Sequence, residues 1–221
     1  MRLIAHRGFA ATAPENTIGA VRAAAERADA VEFDVRRCGS GELVVVHDET
    51  IDRGTDGTGT VADASLAELS VRSVRGSGDG IPTLAAMLEA LPPTVEAHIE
   101  LKEPGIAADV LAALEDAALA NRVVLTSFLV SELRTIRDRD PSQSIGLLVS
   151  RHLETPVTTA VELDCTVLGA SYWRCLASRV VPRATAVGLE VHAWTIERRA
   201  MASLLARRGV EYVSADRPIR V

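Results

Sequence analysis

Lysine is almost missing from this chain. Of its 24 basic residues only Lys102 is a lysine, and every other positive charge is an arginine. Lys offers a compact point charge where Arg offers a planar fork, so a lone Lys in an Arg-rich chain points to a chemical task at that position. Basic excess is missing too. The formal net charge is −6, and no basic stretch resembles a phosphate-tracking patch, which excludes nucleic acid as a partner. Cysteine is scarce. Cys38, Cys165 and Cys175 are odd in number and fit no zinc or redox spacing, so they read as free thiols in a reducing compartment. The N-terminus, Met1-Arg2-Leu3-Ile4-Ala5-His6, lacks an apolar signal segment. No run reaches the roughly 20 apolar residues of a membrane span. The expectation is a cytoplasmic protein with no stable membrane insertion.

Aromatics make up 3% of the residues, but hydrophobic residues as a whole make up 48%, with Ala, Val and Leu abundant. That composition excludes disorder and suits packed helices over buried parallel strands. Short apolar runs recur along the chain at 3–6, 30–35, 96–102, 122–127, 144–149, 166–170, 190–195 and 211–215. Helical stretches lie between most of them, at 17–28, 106–120, 131–139 and 198–208. Regular β-α alternation implies a parallel sheet. Eight units in a chain of 221 residues favour an α/β fold of the closed (β/α)₈ TIM-barrel kind over an open doubly wound sheet, with residues 1–221 as one domain. The alternation lapses between Asp34 and Leu84. There Cys38-Gly39-Ser40-Gly41 marks a turn before Leu43-Val44-Val45-Val46, which predicts a hairpin over 35–47 on the end of the second strand. Ser65 and Glu68 are spaced as a capping box.

Ionisable residues gather at the C-terminal ends of the strand candidates, the end at which barrel enzymes carry their chemistry. Strand period is two, so Glu32 and Asp34 share a side, as do His98, Glu100 and Lys102. Three carboxylates on one inner face repel each other and are costly to bury. A divalent cation relieves that cost. Oxygen donors suit Mg²⁺ or Ca²⁺, with Mn²⁺ also accommodated. Ion pairs of Glu32 and Asp34 with Arg36 or Arg37, and of Glu100 with Lys102, are the plain alternative for one such triplet, and two triplets on neighbouring strands weigh against it. His6 and His47 each end an apolar run beside a charged residue. Their neutral-range titration suits general acid/base work better than metal ligation, since no H-x-H pair occurs. Arg7 and Lys102 would hold an anionic tetrahedral group, for which phosphate fits best, although Arg7 has Glu15 as a competing partner. Trp194 is either a pocket wall or an ordinary core tryptophan.

The series His6-Arg7-Gly8, Pro14-Glu15-Asn16-Thr17, Glu32-Phe33-Asp34-Val35, His47-Asp48, Ile81-Pro82-Thr83-Leu84, Glu100-Leu101-Lys102, Ser127-Phe128 and Trp194-Thr195 resembles the ordered motifs of the glycerophosphodiester phosphodiesterase family from residue 4 to residue 218. Each piece alone is weak, and eight in order are specific. The resemblance implies a (β/α)₈ barrel that hydrolyses small glycerophosphodiesters, the deacylated phospholipids, to glycerol 3-phosphate and an alcohol with a divalent metal. It implies metal carboxylates at Glu32, Asp34 and Glu100, catalytic histidines at His6 and His47, and phosphate-facing Arg7 and Lys102. His98, Glu197 and Ala215 depart from the pattern, where Asn, Asn and Thr are usual, and bear on substrate preference. Two rivals remain at this point: a phospholipase-like barrel acting on an intact lipid headgroup, for which no Trp- or Phe-rich loop speaks, and a non-catalytic phosphate-binding barrel, against which all the catalytic residue types are present.

Overall fold

In a computed structural model, which describes residues 1–150 and 152–221, the expected barrel is closed. Eight parallel strands form it: β1 (Arg2–His6), β2 (Ala30–Arg37), β4 (Glu96–Leu101), β5 (Val123–Ser127), β6 (Ser144–Leu148), β7 (Val167–Ser171), β8 (Glu190–Ile196) and β9 (Tyr212–Ala215). Each pairs in parallel with the next, and β1 closes the ring by pairing with both β9 and β2. The short β3 (Leu43–Val45) runs antiparallel to the end of β2, with Val35 opposite Val45. This is the hairpin expected from the turn at residues 38–41.

The strands read as apolar runs because both faces are covered. Phe33, Val35, Ile99 and Leu101 are fully buried beneath the outer helices, each stabilising the fold by roughly 1.5–3 kcal/mol. The outer layer comprises α1 (Ile18–Ala25), α3 (Leu84–Ala90), α4 (Ala107–Ala117), α5 (Val130–Arg139), α6 (Pro156–Glu162), α7 (Tyr172–Ala177), α8 (Val180–Ala186) and α9 (Arg199–Ala206), while the short α2 (Leu66–Ser70) lies in the segment between β3 and α3. Helix starts follow local chemistry. The hydroxyl of Thr17 accepts from the Ala20 amide, and that of Thr83 accepts from the Ala86 amide. Ser65 and Glu68 form the expected capping box, which satisfies two orphan amides at once. The segment between β3 and α3 has its own small apolar core of Cys38, Val44, Ile51, Val61, Leu69, Val74 and Ile81. It is therefore a packed insertion, not a loose loop.

The N-terminal end of the barrel is closed by charge. Tyr212 donates its hydroxyl to Glu96, which Arg2 and Arg122 also pair, and both arginines reach Glu190. The opposite end stays open. All three cysteines are free and buried, and among the described residues no helix is long and apolar enough to cross a membrane.

Candidate active site

The first residues to be positioned are those of the turn after β1. Arg7 and Gly8 both adopt left-handed backbone, with φ of 50° and 74°. A side chain at Gly8 would place its Cβ 2.9 Å from the backbone and Cβ of Ala20, so glycine lets the turn press onto α1. The turn brings the Arg7 amide to Glu32, donating to Oε2 at 2.9 Å.

The register of β2 against β4 sets the acidic centre. Glu32 lies opposite His98 and Asp34 opposite Glu100. Glu32, Asp34 and Glu100 are buried, and each offers a carboxylate oxygen, all within 4.8 Å of one another. Oε1 of Glu32 and Oδ1 of Asp34 are buried without a hydrogen-bond partner among the described residues. Burial, and next to it the Asp34 carboxylate, push Glu32 up to about 7. Burial and Asp34 raise Glu100 as well. Burial acts on Asp34 in the same sense, yet Lys102 and Arg7 hold it below the usual carboxylate range. Carboxylates that repel each other and leave oxygens without a hydrogen bond are a donor set that a hard divalent cation completes. Of the plain ion-pair alternative, the Glu100–Lys102 pair is formed, but the pairing of Glu32 and Asp34 with Arg36 or Arg37 is not: Arg36 pairs with Glu103 and Arg37 with Asp109.

Two cations face the carboxylates. Lys102 Nζ lies 2.6 Å from Glu100 and 3.5 Å from Asp34. Arg7 Nε lies 3.2 Å from Asp34, while its Nη1 donates to Glu15 at 3.1 Å. Arg7 thus holds the competing partner and the acidic centre together.

His6 and His47 border the same cavity. An ionised carboxylate can only accept, so each ring gives its Nδ1 proton away: His6 to Asp216 at 2.6 Å and His47 to Asp48 at 2.5 Å. Nε2 of His6 is then turned toward Glu32, 3.9 Å away. Burial depresses His6, but the carboxylates of Glu32 and Asp216 more than offset it, so it is raised. Burial, together with Lys102 and Arg7, lowers His47 despite Asp34.

One cavity of about 220 Å³ joins these groups. Its lining includes His6, Arg7, Glu32, His47, Glu100, Lys102 and Trp194. Asp34 supports them from beneath with 0% exposure. Trp194 lines the cavity and stands edge-on to Phe128 at 5.8 Å.

Several partners carried no role in the sequence reading. Asn16 grips Asp34 twice, donating to Oδ2 at 3.0 Å and accepting from its amide at 3.3 Å. Glu15, read in the sequence only as a competing partner of Arg7, also gathers Arg53 and Arg75. Asp216 and Asp48 orient the histidines. The dipeptide His47-Asp48 and the acidic residue just past the last strand were the only signals for the latter two.

Comparison with known proteins agrees with this geometry. The profile of the glycerophosphoryl diester phosphodiesterase family matches residues 6–220. A glycerophosphodiester phosphodiesterase of Caldanaerobacter subterraneus subsp. tengcongensis is 32% identical over 98% of this chain and 94% of its own. A crystal structure of a glycerophosphodiester phosphodiesterase from Agrobacterium tumefaciens superposes with a TM-score of 0.86 at 26% identity, covering 99% of this chain and 97% of that one. The structure of an Oleispira antarctica phosphodiesterase in complex with the product sn-glycerol-3-phosphate superposes with a TM-score of 0.88 at 27% identity, covering 99% and 94%.

Proposed function

The chain belongs to the glycerophosphoryl diester phosphodiesterase family, and from that premise we propose that it hydrolyses small glycerophosphodiesters to glycerol 3-phosphate and an alcohol, with His6 and His47 moving the protons. The observation that carries this reading is the convergence of three buried, mutually repelling carboxylates with two carboxylate-oriented histidines, Lys102 and Arg7 around one cavity.

Glu32, Asp34 and Glu100 would hold a divalent cation. Mg²⁺, Ca²⁺ or Mn²⁺ suits these oxygen donors, and when bound the ion supplies Lewis-acid neutralisation of phosphoryl charge. Lys102 and Arg7 bind the phosphate's anionic oxygens and stabilise the charge that builds on them. Asp216 and Asp48 fix their histidines with Nδ1 protonated, which leaves Nε2 to work. One histidine takes the proton of the nucleophile and the other delivers a proton to the leaving alkoxide. The nucleophile is a water or the glyceryl hydroxyl next to the phosphate. Trp194 and Phe128 wall the cavity against the carbon skeleton. The cytoplasmic setting and a part in glycerol and lipid turnover belong to the same proposal, supported by the three free thiols.

The test is product identity. Glycerophosphocholine, glycerophosphoethanolamine and glycerophosphoglycerol are incubated with the protein and each cation, and the phosphorus-containing products are read by ³¹P NMR. Glycerol 3-phosphate with an equimolar alcohol is expected. No release from any of the three by folded, cation-loaded protein overturns the reading. Cleavage of intact phospholipid in preference to these diesters would transfer it to the phospholipase-like rival.

A further inference from the structure

Beneath the carboxylates the barrel interior is not filled in the ordinary way. Barrel cores are packed in layers by bulky branched side chains. Here the layer under Glu100 carries His98 from β4 and His192 from β8, with Thr126 and Ser214 beside them, and all four line the cavity. His98 is fully buried and His192 is 5% exposed. The two rings stand edge to face, 5.9 Å between centroids.

Each imidazole is tied down at one nitrogen only. His98 donates Nε2–H to Glu96 at 2.9 Å, and Glu96 is held in turn by Tyr212, Arg2 and Arg122. His192 Nε2 shares a 2.6 Å hydrogen bond with the Ser214 hydroxyl. The Nδ1 atom of each ring is buried and has no partner among the described residues. A buried polar atom without a partner is costly, and here there are two in one chamber. Gly169 lies opposite His192 in the register. A Cβ at Gly169 would meet Leu148 Cδ2 at 2.5 Å and His192 Nδ1 at 3.4 Å, so the glycine makes room for the Leu148 side chain beside that ring. Burial and the neighbouring His98 push His192 well below its ordinary value, which keeps this ring neutral.

We infer that His98 and His192 form the floor of a hydroxyl-binding chamber that seats the free hydroxyls of the substrate's glyceryl arm, so that the constant part of the substrate enters the closed interior and the variable alcohol faces the open mouth. This rests on the function proposed above. The chemistry recognised is a short polyol attached to phosphate. His98 lies two residues, roughly 7 Å, below Lys102's neighbour Glu100 along β4, a drop that a three-carbon arm hanging from a phosphate at the carboxylates would span. With Nε2–H committed to Glu96, His98 leaves its unpartnered Nδ1 to face a substrate hydroxyl. His192 Nδ1 supplies the second contact. His98 is thus a specificity-determining position and takes no proton in the reaction.

The two nitrogens of His98 can be tested apart. Asn places an amide near Nδ1, and Gln places one near Nε2. His98→Asn keeps the chamber contact and gives up Glu96, which retains Tyr212 and both arginines. His98→Gln does the reverse. Two substrates are used: glycerophosphoethanolamine, and bis(4-nitrophenyl) phosphate, which has no glyceryl hydroxyls. The expected result is that His98→Gln raises KM for glycerophosphoethanolamine about 3- to 10-fold, leaves the aryl diester rates within twofold, and weakens inhibition of aryl diester cleavage by glycerol 3-phosphate to the same extent. His98→Asn stays within twofold of wild type on all three readings. Equal losses in both variants and on both substrates would assign His98 to folding through Glu96 and overturn the chamber. So would no change in either variant, which leaves internal water as the occupant. If wild type cleaves the aryl diester but not glycerophosphoethanolamine, the proposed function fails. Inhibition by glycerol 3-phosphate then decides the chamber alone: weakening in His98→Gln upholds it, and none overturns it.

Discussion

In the proposed reaction His6 and His47 move the protons, and each has an acidic partner that no spacing rule supplies. Asp48 follows His47 directly, but Asp216 reaches His6 from 210 positions away. Replacement of either histidine by Ala is expected to lower kcat about 10²- to 10⁴-fold with the far-ultraviolet circular dichroism unchanged. A loss below tenfold for either, on a folded variant, contradicts the proton-transfer roles. The carboxylates, the histidines and Lys102 were readable in the sequence because strand period and strand end bring them together. The grip of Asn16 on Asp34 was not, because it depends on how the turn after β1 folds back over β2. His98 was expected on the inner face, but its partner was not legible: Nε2 goes to Glu96 at the barrel floor and not to the carboxylates above.

Among the elements, the turn between β1 and α1 carries the most consequence. It holds His6, Arg7, Glu15 and Asn16, and it depends on a left-handed glycine pressed against α1. Gly8→Ala meets both the positive φ and the 2.9 Å approach to Ala20. It should destabilise the protein by more than about 1 kcal/mol and lower activity beyond that through a displaced Arg7. Urea unfolding alongside kcat/KM checks this, and wild-type values for both would show that the turn has slack. The eight barrel strands were legible because each is buried on both faces and so appears as an apolar run. Their register was not, and it is register that sets Asp34 opposite Glu100. The insertion after β2 was legible as a hairpin and a capped helix. Its separate core was hidden, because residues 38, 44, 51, 61, 69, 74 and 81 share no single periodicity.

For the molecule as a whole, the acidic centre couples function to stability. Glu32 is raised from 4.5 to about 7 in the folded, cation-free protein. A raised carboxyl favours the fold below its unfolded value, and that contribution is lost as pH rises through the folded value. Between pH 4.5 and pH 7 Glu32 therefore removes stability from the stripped protein, on the order of 3 kcal/mol at full effect. Glu100 and His6, also raised, act in the same sense, while the lowered His47 and His192 act in the opposite one. Glu32→Gln isolates the term. The stripped variant should match wild type near pH 4.5 and exceed it in Tm at pH 8. Added cation should raise the Tm of wild type at pH 8 and leave the variant unchanged. Equal Tm values at pH 8 in the stripped state would mean that Glu32 is not strained.

The reading stands or falls on the cation. EDTA-stripped protein is assayed for glycerol 3-phosphate release from glycerophosphoethanolamine while Mg²⁺, Ca²⁺ or Mn²⁺ is titrated back, for wild type and for Glu100→Gln. Negligible activity without cation is expected, with saturable recovery and a half-saturation concentration at least tenfold higher in the variant. Full activity in the stripped protein, or the same half-saturation in both, would contradict a metal held by Glu32, Asp34 and Glu100.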